Sequence, residues 1–301
     1  MILLNRLLNK FRKPSEAGTP YKLEPPTAVE QALITELREK VAPIKEKEKN
    51  AVDFWAQRRV ELIEKILKED PRDFLRWKVI KDTMVYPGHV KELTRLTKYP
   101  GWKKIKETIA EDKIGCPDGY IYYKKSSGNL IHHAYSLHEF LSQTGKKLED
   151  IDTIFEFGAG YGSLCRLLYK SGFKGSYIIY DLPEYLALQN YFIKSTGLSV
   201  TINFGLQDLK PNNVYLLNTI PDKLHVDFFI GLWSISEVPV ELRNSIFNAI
   251  SADSFLIAYQ ESFFKIDNSS YFAGIASARQ KLSWKDYAIT QLPGNRYLIG
   301  K

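Results

Sequence analysis

The 301-residue sequence predicts an α/β fold, an open, doubly wound and mostly parallel sheet preceded by a helical region. Three observations carry this. From Thr153 onward short apolar runs alternate with segments of helical period, as parallel strands joined by crossover helices do. A bare glycine turn, GAGYG, separates the first such run from the first such helix. The final two runs flank Leu292, Pro293, Gly294 and Asn295, a turn that closes an antiparallel hairpin rather than another crossover.

In chain order, residues 1–13 (MILLNRLLNKFRK) place Ile2, Leu3, Leu4, Leu7, Leu8 and Phe11 at helical spacing opposite Arg6, Lys10 and Lys13. This reads as a basic amphipathic helix. It lacks a small-residue cleavage site and its apolar stretch is broken by charge, so it is read as retained. Two roles stay open for it, a weak peripheral anchor on anionic lipid or a helix docked on protein. Residues 14–26 contain four prolines and a glycine and form a linker.

Residues 27–150 are predominantly helical and are expected to cap the site and shape the substrate pocket. AVEQALITELREKV, AVDFWAQRRVELIEKILKE and GWKKIKETIAED carry the period, the alternating charges Lys45 to Lys49 suit a solvated turn or helix face, and Trp55, Phe74, Trp77 and Trp102 suit packing. Gly115 to Asn129 reads as a loop or small hairpin. It precedes a helix, LIHHAYSLHEFLSQTG, that ends at Gly145. Residues 151–301 hold the alternating unit: strands TIFEF, SYIIYD, SVTINF, VDFFIG and SFLIAYQ, helices GSLCRLLYKSG, PEYLALQNYFIKSTG and PVELRNSIFNAI, and the closing DYAITQLPGNRYLIGK.

Composition is that of an ordinary globular protein, 44% apolar and 26% charged. No segment approaches the roughly 18 consecutive apolar residues of a membrane span. The net charge of +7 is uneven: from Asp152 to Lys301 the 13 basic residues balance 13 acidic ones, and 29 against 22 precede them. Four of the excess charges belong to residues 1–13, which weakens a nucleic-acid reading of the basic isoelectric point. Two cysteines, Cys116 and Cys165, with no CxxC or His/Cys cluster, suggest neither a zinc site nor a disulfide framework. A reducing cytoplasm is the expected location, at the inner face of the membrane if residues 1–13 act as an anchor.

Gly158, Gly160 and Gly162 remove side chains where the chain turns from strand to helix and where a ligand lies against the backbone. A dinucleotide fingerprint would need its third glycine at 163, where Ser163 stands. Asp181 ends the next strand, 19 residues past Gly162, placed to accept hydrogen bonds from a ribose diol. Together these point to an adenosine-containing cofactor.

On these residues the sequence resembles the class I S-adenosylmethionine-dependent methyltransferases. EFGAGYG looks like their first motif, YDLP like the ribose-binding acid after the second strand, VDFFIGLWSISEVP like the segment after the fourth, and the closing hairpin like their sixth and seventh strands. The resemblance spans Thr153 to Lys301 and implies a Rossmann-like, seven-stranded sheet. More narrowly, FGAGYGSLCRLLY, YDLPEYLALQNYFI, SISEVP and GNRYLIG resemble the sugar O-methyltransferase family associated with bacterial surface polysaccharides. The resemblance implies Glu156 near the methionine amine, Gly158, Gly160 and Gly162 beside methionine and ribose, Asp181 on the ribose hydroxyls and Leu182 over the adenine. Asp208, in GLQDL, resembles the acid that reaches the adenine amino group and reads equally as a helix N-cap. Ala159, Tyr161 and Trp233 complete the expected cofactor-binding set, the two aromatics being equally readable as core.

Methyl transfer to a hydroxyl also requires removal of a proton, by a neutral histidine or a carboxylate. Glu237 in SISEVP is the first candidate base, with a helix-start carboxylate as the alternative. His132 and His133, in the helix before the glycine strand, are the second, with ordinary packed or surface histidines as theirs. Asp227, Glu237 and Glu261 form no recognisable local metal motif, and no essential metal is expected. The resulting expectation is transfer of methyl from S-adenosylmethionine to a sugar or glycoconjugate hydroxyl, leaving S-adenosylhomocysteine. One alternative is an RNA or protein methyltransferase using Lys103, Lys104, Lys106, Lys124, Lys125, Tyr120, Tyr122 and Tyr123. Another is a non-catalytic scaffold or membrane-associated partner that keeps the cofactor fold.

Overall fold

Backbone pairing gathers the apolar runs of the second half into one sheet. The computed structural model describes residues 23–47 and 54–301. The amphipathic run 1–13, most of the linker 14–26, and the side chains of residues 45–49 and 55 lie outside the described residues.

The strands are β1 (Thr153–Phe157), β2 (Ser176–Tyr180), β3 (Ser199–Ile202), β4 (Asn213–Leu217), β5 (Leu224–Val226), β6 (Phe228–Leu232), β7 (Ile250–Ala252), β8 (Phe255–Gln260), β9 (Ser262–Phe263), β10 (Ile266–Asp267), β11 (Trp284–Ala288) and β12 (Asn295–Gly300). The main sheet runs β11-β12-β8-β6-β1-β2-β4-β3. Pairings among β3, β4, β2, β1, β6 and β8 are parallel, and β12 is antiparallel to both β8 and β11. The doubly wound fold with a terminal hairpin is therefore present, with one correction. The sheet has eight strands, because NVYLL inserts between β2 and the strand formed by SVTI.

The helices are α1 (Ala28–Lys47), α2 (Phe54–Lys68), α3 (Lys78–Thr83), α4 (Val90–Leu96), α5 (Trp102–Thr108), α6 (Gly128–Thr144), α7 (Ser163–Ser171), α8 (Pro183–Ser195), α9 (Val240–Ala249) and α10 (Asn268–Ser277). Helix α6 ends where its sequence predicts, Gly145 stopping it with φ +72°, but starts at Gly128 rather than Leu130, because the Ser127 hydroxyl caps it by accepting from the Leu130 N–H at 3.0 Å. None of the described helices is long and apolar enough to cross a membrane.

Alternation along each strand sends neighbouring side chains to opposite faces. Ile154, Tyr177, Ile179, Ile230 and Leu256 join one cluster, whereas Phe155, Ile178, Phe229 and Ile257 join another that includes Phe247 of α9 and Phe272 of α10. The first cluster is continuous from Ile34 and Leu37 of α1 through Phe74 and Phe140 to Ile299. The helical first half thus shares its core with the sheet. Ion pairs fasten it at the rim: Glu36 meets Lys194 at 2.8 Å, the Arg59 guanidinium pairs with Glu184, and Arg166 meets Asp112 at 2.6 Å.

On the other face, the fully buried Arg243 of α9 organises the chain that follows β6. Its guanidinium donates to the carbonyls of Val238 (2.8 Å) and Ser236 (2.6 Å) and to Asn268 Oδ1 (2.6 Å). Arg243→Met takes this donor from Asn268 Oδ1 and the Val238 carbonyl, while the Ser236 carbonyl keeps Asn268 Nδ2 at 3.3 Å, so two acceptors lose a partner, at about 1–3 kcal/mol each if nothing relaxes. A loss of at least about 2 kcal/mol is expected, read as a fall of about 4–8 °C in Tm. Differential scanning calorimetry checks it, and an unchanged Tm would remove this brace from the account.

Candidate active site

A cavity of about 840 Å³ opens over the carboxyl ends of β1, β2 and β6, where parallel sheets of this kind bind ligands. Its floor is the turn after β1. Gly158 has φ +69°, and a Cβ there would stand 2.4 Å from the Cβ of Ser234, whose hydroxyl donates to the Phe157 carbonyl. Gly160 has φ +59°. A side chain at either position would be strained, and at 158 it would collide with the chain after β6.

Two carboxyl groups face this turn. Glu156, 3% exposed, accepts a hydrogen bond from the Tyr177 hydroxyl at 2.7 Å. Burial lifts its pKa to about 8, with the nearby Asp181 charge adding to the rise. Asp181 accepts from the Leu182 N–H at 2.8 Å and from Gln189 Nε2 at 2.7 Å. Burial raises it to about 7 against the pull of those donors, and the Glu184 charge raises it further. Gln189 also donates to the Gly160 carbonyl at 2.8 Å, so one amide couples the glycine turn to the acid after β2. A site that keeps two carboxyls in low dielectric beside a bare backbone fits a ligand bearing a cation and hydroxyl donors.

The remaining walls come from distant parts of the chain. From the helical first half, Arg59, Met84, Asn129, His132 and His133 reach the cavity; from the second half, Tyr185, Trp233, Glu237 and Phe264 do so. Trp233, with φ +63°, is held by its N–H on the Ala258 carbonyl (2.7 Å) and its indole N–H on Asn295 Oδ1 (2.8 Å). Glu237 Oε1 accepts from Gln260 Nε2 at 2.9 Å. His133 is held neutral by burial, its pKa depressed to about 3 with His132 adding to the shift, and its Nδ1 has no hydrogen-bond partner. His132 Nδ1 lies 2.8 Å from Glu92 Oε1.

The structure thus brings together Glu156, Gly158, Ala159, Gly160, Tyr161, Asp181, Leu182, Trp233, His132, His133 and Glu237 around one cavity. Two predicted residues stand apart. Gly162, φ +95°, begins α7 with its Cβ position 3.1 Å from the Ile193 side chain, so it serves the helix start and its packing against α8. Asp208 caps the Leu206–Asp208 turn by accepting from the Gly205 N–H at 3.2 Å and is outside the cavity lining. The inserted β4 takes the place beside β2, which leaves Asp208 on the return toward the start of β4. His138 packs on Tyr99 at 5.3 Å, away from the lining. Glu92, Gln189 and Arg59 were not singled out from the sequence. An His-x-x-Glu pattern before an apolar helix was the only local trace of Glu92, which forms a capping box with His89. Among the described residues no group of His, Cys, Asp and Glu is arranged to hold a metal ion.

No protein-family model matches the chain, and no curated protein matches it in sequence. Solved structures do show similarity. An O-methyltransferase family protein from Burkholderia thailandensis is 12% identical with a TM-score of 0.37, and the match covers 57% of this chain and 57% of that one. A ribosomal protein L11 methylase from Lactobacillus delbrueckii subsp. bulgaricus is 11% identical with a TM-score of 0.38, over 57% of this chain and 78% of that one. The T. thermophilus 16S rRNA N2 G1207 methyltransferase, in complex with AdoMet and guanosine, is 11% identical with a TM-score of 0.38, over 56% and 42%. At this level of overlap the fold assignment rests on strand order and the site on its own geometry.

Both carboxyls keep their protons to higher pH in the folded chain than in the unfolded one, whose groups ionise near pH 4. Between about pH 4 and pH 8 the folded state therefore binds more protons, and their contribution to stability falls as pH rises. The ligand-free protein should lose more Tm between pH 5.5 and pH 8 than Glu156→Gln does. Equal losses in the two proteins would contradict the burial of an ionisable Glu156.

Proposed function

We propose that the protein is an S-adenosylmethionine-dependent methyltransferase acting on a hydroxyl of a sugar or sugar conjugate, in the assembly of a surface polysaccharide. The observation that carries the donor assignment is the pair of buried Glu156 and half-buried Asp181 at the ends of adjacent strands, on either side of a glycine turn that excludes side chains. Bound there, the sulfonium donor supplies an electrophilic methyl. Glu156 suits its ammonium group, Asp181 its ribose hydroxyls, and Leu182, 43% exposed at the mouth, the face of its adenine. Alignment of methyl and nucleophile is worth about 7–11 kcal/mol at best, and the cavity walls from both halves of the chain provide it.

The acceptor side is formed by His132, His133, Trp233 and Glu237, close to the end of β6. Polar groups on aromatic walls suit a saccharide, and the sugar O-methyltransferase resemblance supports the same class. A second reading, an RNA acceptor, draws on the loop between α5 and α6, where Ile121 and Tyr122 are 70% and 65% exposed beside Lys124 and Lys125.

Calorimetric titration with S-adenosylhomocysteine should give at least a tenfold loss of affinity in Asp181→Ala, and unchanged affinity would remove the donor assignment. Transfer of labelled methyl to a panel of glycans, lipid-linked saccharides, RNA and proteins then separates the acceptors. Labelled saccharide supports the reading; labelled RNA alone, with steeply salt-dependent binding, replaces it. Donor binding with no acceptor labelled would favour a non-catalytic role.

A further inference from the structure

Glu92 is fully buried on α4, and its two oxygens are met by nitrogen groups from three separate segments. Oε1 accepts from Gln291 Nε2 at 3.2 Å and faces His132 Nδ1 at 2.8 Å; Oε2 accepts from the His89 backbone N–H at 3.3 Å. Gln291 belongs to the turn between β11 and β12, so the terminal hairpin closes the pocket around this carboxylate. With Glu92 the acceptor toward His132, as it is toward Gln291 Nε2 and the His89 N–H, the hydrogen of that contact is on His132 Nδ1.

The imidazole has little freedom to turn away. Tyr86 lies on it with ring centroids 4.2 Å apart, and Trp233 with centroids 4.8 Å apart. The titratable groups facing His132 are thus Glu92 from α4, Tyr86 from the segment before α4 and His133 from its own helix, at 6.2 Å between rings. With Nδ1 turned to Glu92 and the ring lining the cavity, Nε2 is the nitrogen left to meet a ligand. His133 has no such partner on its Nδ1, so nothing there selects a tautomer.

We propose that Glu92 is a positioning residue that fixes His132 as the Nδ1–H tautomer, so that Nε2 takes the proton from the acceptor hydroxyl. This rests on the methyl-transfer reading above. The acceptor oxygen forms its bond to the methyl carbon as the sulfur–carbon bond breaks, and that bond's electron pair stays on sulfur. The hydroxyl proton passes to Nε2, and the imidazolium sits against the Glu92 carboxylate until water removes the proton.

The test compares the full-length wild type with Glu92→Gln by long-range ¹H–¹⁵N correlation of the imidazoles, His132 being assigned with His132→Gln. S-adenosylhomocysteine titration and methyl transfer to the acceptor found in the panel accompany it. The expected result is an Nδ1–H ring in wild type and a shift toward the Nε2–H form in Glu92→Gln. With that shift, kcat falls by about 10²-fold, while donor affinity and the acceptor KM stay within about twofold. An Nε2–H ring in wild type, or an unchanged tautomer and kcat in Glu92→Gln, would overturn the proposal. Should Glu92→Gln fail to fold, the wild-type tautomer decides, with Glu92→Asp expected to keep the Nδ1–H form. If wild type does not bind S-adenosylhomocysteine, the methyl-transfer reading fails, and the tautomer still reports on Glu92.

Discussion

Two carboxyl groups, one buried and one half-buried, at the ends of neighbouring parallel strands set the terms for the rest of the molecule. Ionised Glu156 and Asp181 are costly in low dielectric, and their raised pKa values record that cost. The fold keeps them there because β1 and β2 pair in register, Phe157 beside Tyr180, and because Gln189, Tyr177 and the Leu182 N–H supply a partial set of donors. The proposed ligand, with a cation and a diol, would complete what the protein's own donors leave unfinished. Trp233, a non-glycine residue at φ +63°, stands at the same end of the sheet, a backbone strain of the kind found at functional sites.

A sheet end alone would leave these groups in a shallow crevice. The helical first half deepens it, and does so as part of the same core: Phe74 packs edge-on to Tyr161 at 5.6 Å and to Phe192 at 6.0 Å, joining the segment before α3 to the glycine turn and α8. Asn129 Nδ2 donates to the Tyr161 hydroxyl at 3.2 Å, while its Oδ1 accepts from the Tyr86 N–H at 3.0 Å. The start of α6, which carries both cavity histidines, is therefore tied to the glycine turn. Arg59, paired with Glu184 at the start of α8, closes the opposite side. Cap and sheet are one packed unit in which the histidines are placed by the same contacts that close the cavity.

Much of this was legible in the sequence because it follows from local rules. Short apolar runs marked most strands, Gly145 marked the end of α6, and EFGAGYG with Asp181 marked the cavity floor. What escaped depended on tertiary packing. Strand β4 is joined to β3 by residues 203–212 alone, shorter than the dozen or more residues a parallel crossover usually needs. Its NVYLL run after a Pro-Asn-Asn turn therefore carried no clear signal. That insertion shifts the register by which Asp208 was matched to an adenine contact. Glu92 was hidden because its partners, His132 and Gln291, are 40 and 199 positions away. No spacing rule connects them.

The crystal structure of the full chain grown with S-adenosylhomocysteine tests the central claim most directly. The account predicts the ribose hydroxyls within hydrogen-bond distance of Asp181, the amino group at Glu156 and the sulfur facing the space between His132 and Glu237. A ligand bound elsewhere, or bound in this cavity with its ribose turned away from Asp181, would contradict it.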